Sequence, residues 1–371
     1  MSRFHASGRS SVRLGGAFSR RHLLAGIGVT ALASQARPWR GIAGTRQAAD
    51  ALVKGVYLNP LAGDIDSELA LLVDLIDRTE LNALVIDVKE DGVYVDTGVP
   101  LFQEAGTVLA FYDVDAVLET LRANNIYSIA RLVAFKDTLL ATARPDLAVL
   151  DSGTELPWQD MNGVSWVNPL LDEVQAANVA FAVELAERGF DEIQFDYVRF
   201  PTDGDLEAMD FGEPVDAALQ IATITAFLAS ATDELAPLET ACSADVFGYT
   251  LLQADIGIGQ NVASLSDAVD YISPMLYPSH FPEGSIDVPG HPNDFPAETI
   301  ETSFAAGVEM LGDDLSLLRP WLQDFSLPGM TEYGPDDVRA QIDAAEAAGA
   351  SGWMIWNAAN VYQEAAFTPA E

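Results

Sequence analysis

Three aspartates lie inside apolar, strand-like segments of this sequence. Asp196 lies in the run from Gly189 to Pro201, Asp245 ends a later segment, and Asp87 lies in an earlier one. Two facing carboxyl groups can cleave a glycosidic bond, because one protonates the leaving oxygen while the other attacks the anomeric carbon or activates water. We therefore expect Asp196 to be the nucleophile or base, Asp245 the acid, and Asp87 a third carboxylate that tunes or replaces Asp245. Asp87 has a second interpretation, an ion pair with Lys89 or Arg131 that supports the scaffold.

Polar and aromatic side chains recur near the ends of the strand-like segments. Carboxylates and amides bond hydroxyl groups, and aromatic rings pack on the C–H face of a sugar, so this composition fits a polyhydroxylated ligand. The residues predicted to bind substrate are Tyr57, Asn59, Lys89, Arg131, Gln194, Arg199, Tyr277, His280, Trp321, Gln323, Trp356 and Asn357.

Strand periodicity refines this set. Side chains alternate between the two faces of a strand, so Asp87 and Lys89 are expected to share a face, and only one of Trp356 and Asn357 should point inward. Two alternatives stay open: Arg199 could instead pair with Asp203, and the tryptophans could be core residues.

Other chemistries lack the necessary residues. Beyond the N-terminal segment only His280 and His291 remain, and neither a His-x-His nor a His-x-x-x-His spacing occurs, so no metal site is expected. Cys242 is alone, which excludes an intramolecular disulfide. The sequence has no Gly-x-Ser-x-Gly or Walker motif, and no Gly-x-Gly-x-x-Gly follows the first strand-like segment. We therefore expect no cofactor.

Eight β-rich segments alternate with amphipathic helical patterns. This alternation predicts a parallel sheet, and eight repeats favour an α/β fold of the (β/α)8 TIM-barrel type over an open sheet. The C-terminal strand ends of such a barrel form its active-site face, where Asp196 and Asp245 would lie. The predicted strands are Gly55–Asn59, Ala83–Lys89, Tyr127–Phe135, Glu192–Phe200, Leu238–Phe247, Tyr271–Pro278, Leu318–Phe325 and Gly352–Asn357.

The charge of the chain is strongly asymmetric. The 371 residues include 19 basic and 56 acidic ones, and eight arginines precede the first acid, Asp50. From Asp50 onward 11 basic and 56 acidic residues give a net charge of −45. Such a surface repels nucleic acid and anionic membranes, so neither is an expected partner, whereas a carbohydrate is. It is typical of a protein that stays hydrated at high salt, where screening weakens self-repulsion.

The N-terminal segment is predicted to be an export signal. Ser19-Arg20-Arg21-His22-Leu23-Leu24 resembles a twin-arginine motif and precedes an apolar run that ends near Ala33. That run is about 11 residues long, too short to span a bilayer. We predict a signal at 1–36, a linker at 37–52 and the barrel at 53–371. The mature protein would be extracellular or bound at the cell surface, without stable membrane insertion.

Several motifs resemble a known family. The run from Gly189 to Pro201 looks like the fourth strand of a glycosyl hydrolase domain family of bacteria and archaea, and the resemblance covers roughly residues 53–360. Further matching segments are Lys54–Tyr57, Ala83–Lys89 and Tyr271–Phe281. The resemblance implies a barrel distantly similar to the α-amylase group, with sugar polymers as substrates. The nucleophile of that group, an Asp at the end of the fourth strand, corresponds to Asp196. The acid of that group is a Glu on the fifth strand, where this sequence has Asp245, and the Arg two residues before its nucleophile is replaced here by Gln194.

The sequence thus predicts a glycoside hydrolase that acts on a polysaccharide or cell-surface glycan. The alternative is a catalytically silent barrel that binds glycans, and a transglycosylase that uses the same residues also stays open. Neighbouring strands are ~4.8 Å apart, so Asp196 and Asp245 would approach the ~5–5.5 Å of a retaining pair. Pairing with Asp87, two strands away, would instead predict inversion. Oligomeric state is not predicted.

Overall fold

The structure is a computed structural model that describes residues 52–254, 256–312, 315 and 317–370. The predicted signal at 1–36 lies outside the described residues. So does the predicted linker at 37–52, except for its last residue.

Eight parallel strands close into a barrel. Each strand pairs with the next along the chain, and β1 pairs with both β2 and β8, which closes the sheet. The predicted (β/α)8 architecture is therefore confirmed. The strands are β1 Val53–Leu58, β2 Ala83–Glu90, β3 Tyr127–Val133, β4 Glu192–Asp196, β5 Ala241–Phe247, β6 Tyr271–Met275, β7 Trp321–Gln323 and β8 Gly352–Trp356.

Helices cover the outside of the barrel. Their apolar faces follow the helical spacing of the sequence, as in α1, where Leu69, Leu72 and Ile76 are buried. Asp64 caps α1, since its side chain accepts from the Ser67 N–H. The helices are α1 Ile65–Arg78, α2 Pro100–Ala105, α3 Val114–Ala123, α4 Thr138–Ala143, α5 Asp172–Arg188, α6 Ala217–Leu235, α7 Val262–Leu265, α8 Pro296–Leu311 and α9 Pro335–Ala347.

The N-terminal end of the barrel is filled by a buried ion pair. Arg319 donates to Glu192, the first residue of β4, and the Ser243 hydroxyl donates to the same carboxylate at 2.5 Å. The Arg319 guanidinium also lies 4.1 Å from the ring centre of Tyr271. These groups belong to the scaffold, so the opposite end of the barrel is left for a ligand.

Six of the eight strands are shorter than predicted, and β7 spans Trp321–Gln323 instead of Leu318–Phe325. Two strands differ for a specific backbone reason. β4 ends at Asp196 instead of Phe200, because Tyr197 adopts a left-handed backbone with φ of 46°. In β2 the register shifts between Asp87 and Lys89, so a bulge separates them. The prediction that Asp87 and Lys89 share a face is wrong for this reason, because one extra residue reverses the alternation.

The long segment after β3 folds over the mouth of the barrel. Its two-residue strand Leu150–Asp151 pairs antiparallel with Met209–Asp210, which belongs to the segment after β4. Trp166, in the same segment, is buried and packs edge-on against Tyr197. Over the part of the chain that the structure describes, the helices are all too short or too polar to cross a membrane.

Candidate active site

Asp196 lies at the C-terminal end of β4, directly before a strained turn. The left-handed Tyr197 aims its N–H back at the Asp196 carboxylate, which accepts it at 2.5 Å. A non-glycine residue in this conformation costs of order 1–3 kcal/mol and is held only where its surroundings demand it. The turn therefore fixes the carboxylate at the barrel mouth.

Arg131, on β3, lies between the three predicted catalytic carboxylates. Its Nε donates to Asp196 Oδ2 at 3.0 Å, and its Nη1 donates to Asp87 Oδ1 at 2.6 Å. Asp245 Oδ2 is 4.0 Å from the same Nε. The guanidinium also lies 5.0 Å from the ring centre of Trp356. One buried cation thus positions the acidic groups of the site.

Asp245, on β5, is held differently from Asp196. Its side chain is 1% exposed and accepts one hydrogen bond, from Trp321 Nε1 at 2.8 Å. No described residue bonds its second oxygen, Oδ2. Burial raises the pKa of Asp245 well above its usual value, and the neighbouring charge of Asp196 raises it further. This carboxyl group therefore keeps its proton to a higher pH than an exposed aspartate does.

Asp196 and Asp245 occupy equivalent levels on neighbouring strands. Phe195 pairs with Ala244 across β4 and β5, and the two aspartates are the next residue on each strand. Because both lie against Arg131 Nε, the two Oδ2 atoms are at most about 7 Å apart, the sum of the two distances. That limit is compatible with the ~5–5.5 Å of a retaining pair and reaches only the shortest inverting separations.

Asp87, on β2, lies behind Arg131. The Tyr57 hydroxyl donates to Asp87 Oδ2, and the Tyr112 hydroxyl donates to the Asp87 carbonyl at 2.8 Å. Burial raises the pKa of Asp87 to about 6, against the opposing effect of Arg131. Asp87 does not line the pocket, so its contacts position Arg131, which agrees with its predicted second interpretation.

A pocket of about 330 Å³ opens above Asp196 and Asp245. Its lining mixes a few charges with a majority of apolar and aromatic side chains, as in sites for small organic ligands. Eight predicted site residues line it: Arg131, Asp196, Arg199, Asp245, Tyr277, His280, Trp321 and Trp356.

Aromatic rings form one wall of this pocket. Trp356 stacks on Tyr57 with ring centres 3.9 Å apart and an interplanar angle of 15°. Tyr57 is buried behind Trp356 and does not line the pocket, so the prediction that it binds substrate is wrong. Trp321 stands edge-on to Trp356 at 5.5 Å. Of the two candidates at the end of β8, Trp356 therefore points inward and Asn357 does not. Burial lowers the pKa of His280, which favours the neutral form of its ring.

Lys89 does not reach the pocket. Because of the bulge in β2, its side chain is 0% exposed, pairs with Asp137 at 2.8 Å and donates to the Val133 carbonyl at 2.9 Å. The prediction that Lys89 binds substrate is corrected accordingly: it anchors the segment that begins α4.

Four predicted polar residues bind neighbouring protein groups instead of lining the pocket. Gln194 lies deep in the barrel and donates to the Ser273 hydroxyl at 3.3 Å. Asn59 donates to the Ala358 carbonyl at 2.9 Å. Gln323 donates to the Phe325 carbonyl at 2.8 Å, and Asn357 donates to the carbonyls of Asp324 and Val361. Amides at strand ends hold loop backbone as readily as they bind hydroxyls, and residue type alone does not separate the two roles.

Sequence reasoning missed six residues of the pocket lining. Tyr197, Gly248, Tyr249 and Phe281 lie in turns after β4, β5 and β6, where strand periodicity no longer predicts direction. Phe247 and Met275 are the last residues of β5 and β6, two positions after Asp245 and Ser273, so strand periodicity could have found them. Gly248 could also have been found from the sequence, because it is a glycine directly after a predicted strand. A Cβ there would overlap the Met275 carbonyl oxygen, so the backbone approaches too closely for another residue.

Within the described ranges, no group of three or more His, Cys, Asp and Glu side chains is arranged to hold a metal. Cys242 is buried and unpaired.

The sequence matches the model of a family described as "Putative glycosyl hydrolase domain" over residues 55–362. A search of curated proteins returned no match. The crystal structure of a hypothetical protein from Ruminiclostridium thermocellum ATCC 27405 is 37% identical, over 52% of this chain and 97% of that one, with a TM-score of 0.46.

Two enzymes share the fold at low identity. The glycoside hydrolase domain of PgaB (BpsB) from Bordetella bronchiseptica is 14% identical, over 83% of this chain and 95% of that one, with a TM-score of 0.63. The GH20 exo β-N-acetylglucosaminidase from Vibrio harveyi is 12% identical, over 86% of this chain and 55% of that one, with a TM-score of 0.52.

Proposed function

Because the chain belongs to the family described as "Putative glycosyl hydrolase domain", we propose that it cleaves glycosidic bonds of a polysaccharide or cell-surface glycan, with Asp196 as nucleophile and Asp245 as acid. One observation carries the proposal: two carboxyl groups at the same level of the barrel face one pocket and differ in their hydrogen bonds. Asp196 faces a guanidinium, whereas Asp245 is buried with one oxygen unbonded. Such a division of environments assigns acid and nucleophile in carboxylate enzymes.

The geometry suits a two-step reaction. In the first step Asp245 gives its proton to the glycosidic oxygen as the C1–O bond breaks, and Asp196 forms a bond to C1. In the second step Asp245 takes a proton from water, whose oxygen displaces Asp196 from C1. Arg131 holds the Asp196 carboxylate in place, and the partly exposed Trp356 lines the pocket where a sugar ring can pack.

The location of the reaction is a further part of the proposal. The twin-arginine-like segment from Ser19 to Leu24 supports export, and the acidic composition supports a salt-rich medium. The substrate would then be a glycan outside the cytoplasm.

The test is a screen of aryl glycosides and polysaccharides at about 1 M KCl, followed by Asp196→Asn. This variant keeps the shape of the side chain and removes its charge, so kcat should fall by about 10⁴-fold or more while glycan binding persists. Asp205→Asn is the matched control, because Asp205 is exposed on the segment after β4. Binding without cleavage by the unmodified protein would instead support the silent glycan-binding barrel.

A further inference from the structure

Arg199 is a buried cation of the pocket without an acidic partner. Arg199 lies in the turn after β4 and is 5% exposed. The guanidinium lies 4.8 Å from the ring centre of Trp166, 5.1 Å from that of Tyr197 and 4.6 Å from that of Phe247. The three rings hold the planar group in place, so its free edge has a fixed direction.

The hydrogen bonds of Arg199 leave that edge unused. Nη1 donates to the Phe200 carbonyl at 2.9 Å and to the Thr202 hydroxyl at 3.5 Å. No described residue accepts a hydrogen bond from Nε or Nη2, and these two nitrogens are not enclosed by protein. The predicted partner, Asp203, instead accepts from the Met161 N–H at 3.0 Å. Nε and Nη2 form the fork that binds carboxylates side-on.

The lack of a counterion is unusual in this chain. Among the described residues, eight of the eleven lysines and arginines pair with a carboxylate within 4.0 Å. Arg122, Lys136 and Arg199 do not. Arg122 is exposed and bonds backbone carbonyls, whereas Lys136 and Arg199 both lie over the ring of Tyr197, at 4.4 and 5.1 Å.

A buried guanidinium without a counterion is costly, and 56 acidic residues could have supplied one. Burial lowers the pKa of Arg199, in line with this cost. Arg199 lines the same pocket as Asp196, the group proposed to attack the sugar, whereas Lys136 does not line it. An anion that enters the pocket with the substrate would complete the site.

We propose that Arg199 binds an anionic substituent of the substrate through Nε and Nη2, and that the substrate is therefore an acidic glycan. This inference rests on the proposed function, because it treats the bound glycan as a substrate. Binding of the glycan can be measured without turnover. Two sources share the chemistry, the carboxylate of a uronic acid and a sulfate ester.

The test is equilibrium binding by titration calorimetry in Asp196→Asn, at about 1 M KCl so that surface repulsion is screened. The probes are glucuronate and galacturonate oligosaccharides, their carboxyl-reduced counterparts of the same length, and a sulfated neutral oligosaccharide with its unsulfated parent. We expect at least one acidic probe to bind about 10- to 100-fold more tightly than its neutral counterpart. Whether the uronate or the sulfate probe shows the preference identifies the source.

Arg199→Gln should abolish the preference, and Arg122→Gln, which removes an equal charge from the surface, should retain it. Equal affinities of the Asp196→Asn protein for acidic and neutral probes would overturn the inference, and this comparison does not require an Arg199 variant that folds. A preference for acidic probes that persists in Arg199→Gln would also overturn it. Hydrolysis of neutral glycans alone would refute the acidic substrate but support the proposed hydrolase activity. Tight binding of an acidic glycan without cleavage would support the acidic ligand but refute the hydrolase activity.

Discussion

Asp196 and Asp245 lie at the same level of neighbouring strands and against the same nitrogen of Arg131, at 3.0 and 4.0 Å. The shorter contact is a charge-assisted hydrogen bond, whereas the longer one leaves Asp245 Oδ2 unbonded. A difference of 1 Å in the distance to Arg131 Nε thus gives two aspartate side chains different hydrogen bonds.

Asp245→Asn should slow the cleavage of natural glycans far more than that of aryl glycosides with good leaving groups. A poor leaving group needs a proton from the acid, and general acid catalysis contributes about 10²–10⁴-fold. Activity of the unmodified protein should fall as pH rises through the raised pKa of Asp245, because the proton is lost. The pH profiles of both proteins on both substrate types measure this. Equal slowing on both types would remove Asp245 from the acid role.

Asp324 should make stability depend on pH. Burial raises its pKa from 3.8 to about 7, with one opposing hydrogen bond from the Gln363 N–H at 2.8 Å. The folded state therefore keeps a proton that the unfolded state releases, so the contribution is complete below about pH 4 and is lost as pH rises to about 7.

Relative to Asp324→Asn, the unmodified protein should lose about 1.4 kcal/mol per pH unit across that interval. Urea unfolding at several pH values measures the difference, and Asp77→Asn, an exposed carboxylate on α1, is the control. Parallel curves for the unmodified protein and Asp324→Asn would show that Asp324 does not hold the proton.

Lys89→Met should destabilise the fold without changing glycan affinity. Lys89 and Asp137 are both 0% exposed, and removal of one partner leaves a buried charge unpaired, at a cost of about 3–5 kcal/mol. Lys54→Met, which breaks a partly exposed pair with Glu80, should cost less. A weakened glycan affinity with unchanged stability would restore Lys89 to the binding site.

Salt should stabilise the protein. With a net charge of −45 from Asp50 onward, self-repulsion is strongest at low ionic strength. The melting temperature should therefore rise between about 0.1 and 2 M KCl, as the Debye length falls from about 10 Å to below 3 Å. A flat or falling melting temperature would contradict the adaptation to high salt.

The sequence predicts the barrel well because its signals are local and repeated. The strand pattern recurs eight times between helical patterns, and the strand pairings follow chain order. The same periodicity correctly brings Asp196, Asp245, Arg131 and Trp321 to one mouth, since regular strands place alternate residues on one face.

The errors arise where regular backbone ends. A bulge turns Lys89 away from the mouth, and the left-handed Tyr197 shortens β4. Both features depend on tertiary contacts that residue spacing does not encode. The hydrogen-bond partners of Gln323 and Asn357 are loop carbonyls, which only the folded chain brings together.

The most direct test of the central claim is covalent trapping of the nucleophile. A 2-deoxy-2-fluoro glycosyl fluoride of the sugar found in the screen should form a stable adduct, because the ring fluorine slows both formation and hydrolysis of the intermediate, whereas the good leaving group speeds its formation alone. Trypsin cleaves after Arg188 and Arg199, so the peptide from Gly189 to Arg199 should gain the mass of the fluorosugar, and fragmentation should place it on Asp196. An adduct on Asp245 or Asp87, or full turnover of the reagent without any adduct, would contradict the assignment.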